Sequence, residues 1–106
     1  IVSHLGDNWS RTDEWYSFDS SPRAKGMTIL GTLDESTYTP VFFKEDIRMG
    51  DDHPIIWKNC VKQGRAFYSA LGHTAESYAE PKHIEMLERA VAWTAGMEGS
   101  DCPAAE

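Results

Sequence analysis

A chain of 106 residues with 41% hydrophobic and 25% charged content makes one domain with a modest core, since folding at this size buries about 60–70% of the unfolded chain's surface. Its 17 acidic against 10 basic residues give a net charge of −7, and no run of Lys or Arg could neutralise a row of phosphates, so nucleic acid is excluded as a partner. The longest apolar runs, such as Pro40-Val41-Phe42-Phe43, fall far short of the roughly 20 residues of a membrane-spanning helix, so no membrane segment is expected.

In chain order, the alternation from Trp15 to Phe18 predicts a short strand. Residues 27–33 mix apolar and β-branched side chains and predict a second. Turn formers and charges fill residues 34–54, which read as a long, mostly irregular loop; such loops are uncommon in compact domains and often functional. Residues 55–61 and 65–71 predict a hairpin with Gln63-Gly64 between its strands. Pro81 at a first helical position and Gly96 at a C-terminal stop bracket a helix. On it Ile84, Leu87, Val91 and Ala95 share one face, which Met86, Ala90 and Trp93 widen. Residues 97–106 read as a flexible tail.

The two cysteines sit in no metal or redox motif. Cys60 reads as a small buried strand residue and Cys102 as a thiol on the tail. No signal-peptide pattern opens the chain, and Ile1 reads as a processed or truncated start, so a cytoplasmic and an exported location are both open.

Consecutive strands are neighbours about two-thirds of the time, so 27–33, 55–61 and 65–71 are expected to form an antiparallel meander. A meander brings the end of its first strand, the start of its second and the end of its third to one rim. That rim would hold Asp34 and Glu35, then Asp51, Asp52 and His53, then Gly72-His73 with Glu76. A carboxylate beside an imidazole fixes its tautomer and suits it to general acid/base work. His73, Glu76, Asp34 and His53 are therefore the candidate catalytic residues, with His73 at the centre because Gly72 permits a sharp turn before it. No HExxH or HxH motif is present, and no metal or other cofactor is expected. Each residue also has a structural reading: Asp34 as a turn former, His53-Pro54 as the start of a strand, His73 as a hydrogen-bonded loop histidine.

The strings Thr12-Asp13-Glu14-Trp15-Tyr16-Ser17-Phe18, Leu33-Asp34-Glu35-Ser36 and Asp52-His53-Pro54-Ile55-Ile56-Trp57 resemble the ThuA-like (trehalose-utilisation) family. So does the run from Gly64 through Gly72-His73-Thr74-Ala75-Glu76-Ser77-Tyr78, followed by a helix ending in Ala92-Trp93-Thr94-Ala95-Gly96. The resemblance implies an α/β fold: the C-terminal portion of a flavodoxin-like (class I glutamine amidotransferase-like) sandwich, with a strand hairpin or meander followed by a C-terminal amphipathic helix. It also implies a link to carbohydrate metabolism, that of trehalose or a related sugar. The family's members are longer, and their N-terminal half supplies most of the parallel sheet and a glycine-rich loop. Residues 1–96 are accordingly expected to be the C-terminal half of a ThuA-like domain.

In the amidotransferases a histidine just past a late strand pairs with a glutamate two residues on and activates an elbow cysteine. Here His73 is similarly placed, Glu76 lies three residues on, and Cys60 falls inside a predicted strand, so amidotransfer through a cysteine nucleophile is not expected. Two readings of function follow. The first is an enzyme acting on a carbohydrate or polyol, with Glu14, Tyr16, Glu35 and Tyr78 contacting substrate and aromatics such as Trp15 and Tyr38 available to stack on sugar faces. The second is a non-catalytic binding or oligomerisation module, because a half-domain keeps an exposed sheet edge and apolar helix faces. A homo-oligomer, or association with the missing N-terminal half, would cover them.

Overall fold

The structure, a computed structural model, describes residues 1–97 apart from 19, 39, 40, 43, 44, 47, 51 and 63, with the backbone alone at 41, 42, 45 and 46. Its elements are β1 (Thr28–Thr32), β2 (Val41–Phe42), β3 (Glu45–Asp46), β4 (Pro54–Val61), β5 (Gly64–Ser69) and α1 (Pro81–Thr94), with short 3-10 helices between them. The expected meander is present: β1, β4 and β5 form one antiparallel sheet in that order. The result is a small α/β unit. Among the described residues no helix is long and apolar enough to cross a membrane.

In the hairpin, Val61 pairs with Gly64, so the connection is Lys62 and Gln63, and Gly64 is the first strand residue rather than part of the turn. Lys62 takes the left-handed conformation (φ 53°) that a tight hairpin of matching twist demands. Gln63 itself lies outside the described residues.

Residues 34–54 hold more structure than expected. A 3-10 turn, Glu35–Thr37, is followed by the antiparallel pair of β2 and β3. Two-residue strands are too short to show a period in the sequence, which is why this ladder was not legible there. The expected strand over residues 15–18 is absent. That stretch has no ladder partner and is tied down instead through the Phe18 N–H, which donates to Met49 Sδ at 3.3 Å, and the Tyr16 carbonyl, which accepts from His53.

Helix α1 begins at Pro81, whose fixed φ suits a first helical position and whose missing N–H would have been unpaired there anyway. It ends in a Schellman arrangement at Gly96 (φ 74°), with Met97 N–H donating to the Ala92 carbonyl and Gly96 N–H to that of Trp93. The buried face differs from expectation by about one residue. His83, Met86, Ala90 and Trp93 point inward, while Ile84 is exposed and Val91 is 66% exposed. Trp93 decides the rotation. Its ring meets the Lys58 ammonium and the Arg65 guanidinium at 4.9 and 5.1 Å, and Arg65 also donates to its carbonyl at 2.7 Å. Burying the largest side chain of the helix outweighs burying two aliphatic ones. The core beneath is Leu5, Ile55, Ile56, Ala70 and Met86.

Cys60 corrects a further expectation: it is exposed and disulfide-bonded rather than a buried free thiol. It lies near the outer end of β4, whose burial falls steadily along the strand from Pro54 to Val61. Cys102 and the expected tail from 98 onward lie outside the described residues. Peptide mapping after alkylation should leave Cys60 unmodified in unfolded, unreduced protein and modify it only after reduction. Labelling without reductant would show a free thiol.

Candidate functional site

The site is built around a carboxylate. The Asp13 side chain is fully buried (0% exposed), and it accepts three backbone N–H groups: Gly72 at 2.8 Å, His73 at 3.0 Å and Glu14 at 2.8 Å. Arg11, only 5% exposed, completes its surroundings at 3.0 Å. Burial opposes the charge on Asp13, but the three N–H donors and Arg11 outweigh it and hold the carboxyl below its ordinary value of 3.8. Arg11 is itself held from several sides. It donates to the Ser77 hydroxyl, pairs with Glu80 at 3.1 Å and stacks over the Trp9 ring at 5.1 Å, while Trp9 donates to Glu80 at 2.8 Å.

Asp13 thereby locks two distant backbone segments together, and the side chains of the next residues meet. His73 Nδ1 lies 3.2 Å from the Glu14 carboxylate, both groups being about half exposed. The same carboxylate accepts from the Tyr16 phenol, and this bond, with the nearby negative charge, raises the phenol above its ordinary value of 10.0. Tyr78 closes the other side, its hydroxyl donating to the Gly72 carbonyl at 3.3 Å. Gly72 has φ 108°, and a Cβ there would run into the Tyr78 hydroxyl and ring.

A second group forms beneath Tyr16. His53 is fully buried; its Nε2 donates to the Tyr16 carbonyl at 2.7 Å, and its Nδ1 lies 2.7 Å from Glu35. A carbonyl and an ionised carboxylate can only accept, so with Glu35 charged both ring nitrogens donate. Glu35 also accepts from Met49 N–H at 2.6 Å and Gly50 N–H at 3.1 Å. The Met49 bond contributes most to holding Glu35 below its ordinary 4.5, against the cost of burial, and His53 and Gly50 add to it. The Tyr38 hydroxyl sits 3.3 Å from His53 Nδ1, and Tyr38 packs against Trp15 at 6.2 Å. Tyr16 links the two groups, by its phenol to Glu14 and by its carbonyl to His53.

The sequence-predicted residues are thus distributed unevenly. Glu14, Tyr16, His73 and Tyr78 come together, and His53 joins Glu35 underneath. Asp34 caps the 3-10 turn that follows, accepting the Ser36 N–H at 3.0 Å. Glu76 is exposed in the 3-10 helix Ala75–Ala79. Asp52 pairs with Arg23 at 2.8 Å on the surface, and Asp51 lies outside the described residues. Asp34 and Glu35 also line an open cleft of about 1010 Å³ beside Leu30, Trp9 and Arg11. Asp13 and Arg11 were missed by sequence reasoning; the available signal was that Asp13 stands next to Glu14 in the N-terminal string. Among the described residues no group of three His, Cys, Asp or Glu side chains is placed to hold a metal ion.

An antiparallel meander, a C-terminal helix and an imidazole–carboxylate pair at the sheet's rim define a small α/β domain with an acid/base-capable surface site. The chain belongs to the ThuA family: it matches the family model described as trehalose utilisation across residues 1–94. No curated protein and no solved structure matches it.

Proposed function

We propose that this chain is the C-terminal half of a ThuA domain, of the flavodoxin-like, amidotransferase-related type, that acts on trehalose or a related sugar. In it the His73–Glu14 pair transfers protons, with Tyr16 and Tyr78 contacting substrate. The carrying observation is the 3.2 Å approach of His73 Nδ1 to Glu14 on backbone that Asp13 clamps. An exposed imidazole with a fixed carboxylate partner keeps one ring nitrogen directed by Glu14 and leaves the other for a substrate hydroxyl. Glu35 and His53 support the site from below.

His73→Asn should leave far-UV circular dichroism and the thermal midpoint unchanged, because the side chain is half exposed. It should reduce trehalose turnover about 10²–10⁴-fold, the range for a lost general acid/base. Unchanged turnover would overturn the acid/base role. One observation favours a second reading, a non-catalytic association module. Val91 is 66% and Met97 78% exposed, apolar surface that a second copy or the missing N-terminal half would cover. A stable dimer in light scattering that ignores sugars would establish that reading instead.

A further inference from the structure

The outer face of the β4–β5 hairpin carries an aromatic cluster that the site above does not use. Trp57 and Tyr68 are directly opposed cross-strand partners, and their rings stack at 4.4 Å with an interplanar angle of 20°. Phe18 meets both edge-on, at 5.2 and 6.2 Å. Trp57 and Phe18 also line a hollow of about 470 Å³ with Ser20, Lys25 and Met27. Such a cluster would ordinarily be read as core, yet Tyr68 is 41% exposed. It stands on β5, at the margin of the three-stranded sheet, so Trp57 covers one ring face. Phe18, whose ring meets that of Tyr68 at 6.2 Å, stands two residues after Tyr16, so the N-terminal segment that carries Glu14 and Tyr16 passes alongside the Tyr68 ring.

We propose that Tyr68, held rigid by Trp57 and Phe18, is a stacking ledge for a neutral pyranoside whose hydroxyls reach Tyr16, Glu14 and His73. This rests on the reading of Glu14 and His73 given above and names how the sugar is held there. The negative face of an aromatic ring attracts the polarised C–H bonds that a pyranose presents on one side, and the hydroxyls at the sugar's edge need donors and acceptors alongside. Both kinds of surface adjoin here. Glu14 and the net charge of −7 disfavour an anionic ligand such as a nucleotide or sugar phosphate. Backing by Trp57 matters because a ring already immobilised loses little freedom on binding.

Saturation-transfer NMR on the full chain with trehalose and with methyl α-glucoside tests the ledge by binding alone. Transfer to ring C–H protons is expected, with Tyr68→Ala weakening affinity about tenfold and Tyr68→Phe keeping it within about twofold. Should Tyr68→Ala lose its fold, Tyr68→Leu preserves an apolar contact with Trp57 while removing the aromatic face, and the same weakening is expected of it. Parental affinity in the folded Ala or Leu variant, or no binding of either sugar, would overturn the ledge. The two proposals fail separately. Unchanged binding in Tyr68→Ala with lost turnover in His73→Asn removes the ledge alone, whereas the opposite pattern removes the acid/base role alone.

Discussion

Asp13→Ala is expected to destabilise the protein by about 3 kcal/mol, because it strips a buried carboxylate from three N–H donors and leaves the buried Arg11 without that partner. For a domain of this size that corresponds to a fall in Tm of roughly 15 °C. The loss should propagate to function, since Asp13 sets the backbone of Glu14 and His73 relative to each other. Urea unfolding gives the stability change, and a loss below about 1 kcal/mol would mean that water replaces the carboxylate at little cost. The pH dependence carries the same signature. The folded carboxyl titrates below its ordinary 3.8, so its contribution is complete above that value and is lost as pH falls through the lower folded one. Asp13→Asn should therefore flatten the acid limb of the stability curve as well as lower its plateau. An acid limb of unchanged slope would assign acid unfolding to other carboxylates, of which Glu35 is the first to examine.

Gly72→Ala should cost about 2–3 kcal/mol, from two sources that can be separated. One is the backbone conformation, φ 108°, which an L side chain rarely adopts; the other is the collision of the new Cβ with the Tyr78 hydroxyl and ring. In a Tyr78→Ala background the collision is gone and the conformational strain remains. The Gly72→Ala change should then cost about half as much, measured as a double-mutant cycle in urea. An equal cost in both backgrounds would place the whole effect in the backbone. Either result bears on the site, because the Gly72 N–H is one of the three that Asp13 holds and His73 follows directly.

Much of the fold was legible because the relevant forces are local. Residues 27–33, 55–61 and 65–71 carry the β-branched and aromatic content of strands, and the general preference of successive strands for adjacent places in a sheet makes antiparallel pairing the natural outcome. Pro81 and Gly96 mark the ends of α1 for reasons confined to one helical turn each. What failed was whatever needed a partner elsewhere. Residues 15–18 alternate like a strand but join no ladder, their backbone bonding to His53 and Met49 side chains instead. The face of α1 turned by about one residue because Trp93 finds Lys58 and Arg65 on neighbouring strands, which helical spacing cannot reveal. Cys60 was read from its strand context as buried and reduced, although strand context does not say where along β4 the cover ends.

The candidate site divides in the same way. The sequence alone determined the family, the meander, and the fact that His73 would stand just past a strand end behind a glycine able to turn. Only the tertiary structure decided which carboxylate meets which imidazole. Glu76 is three residues from His73, yet Glu14 is its partner; Asp34 neighbours Glu35, yet Glu35 alone reaches His53 while Asp34 caps a turn. The bonds that set this arrangement run from Asp13 to Gly72 and His73 across 59 and 60 residues. Contacts over such separations follow from how the sheet, the N-terminal segment and the loops pack together. A spacing rule describes only neighbours on one element, so it could deliver the right residue types to one rim but not their pairing.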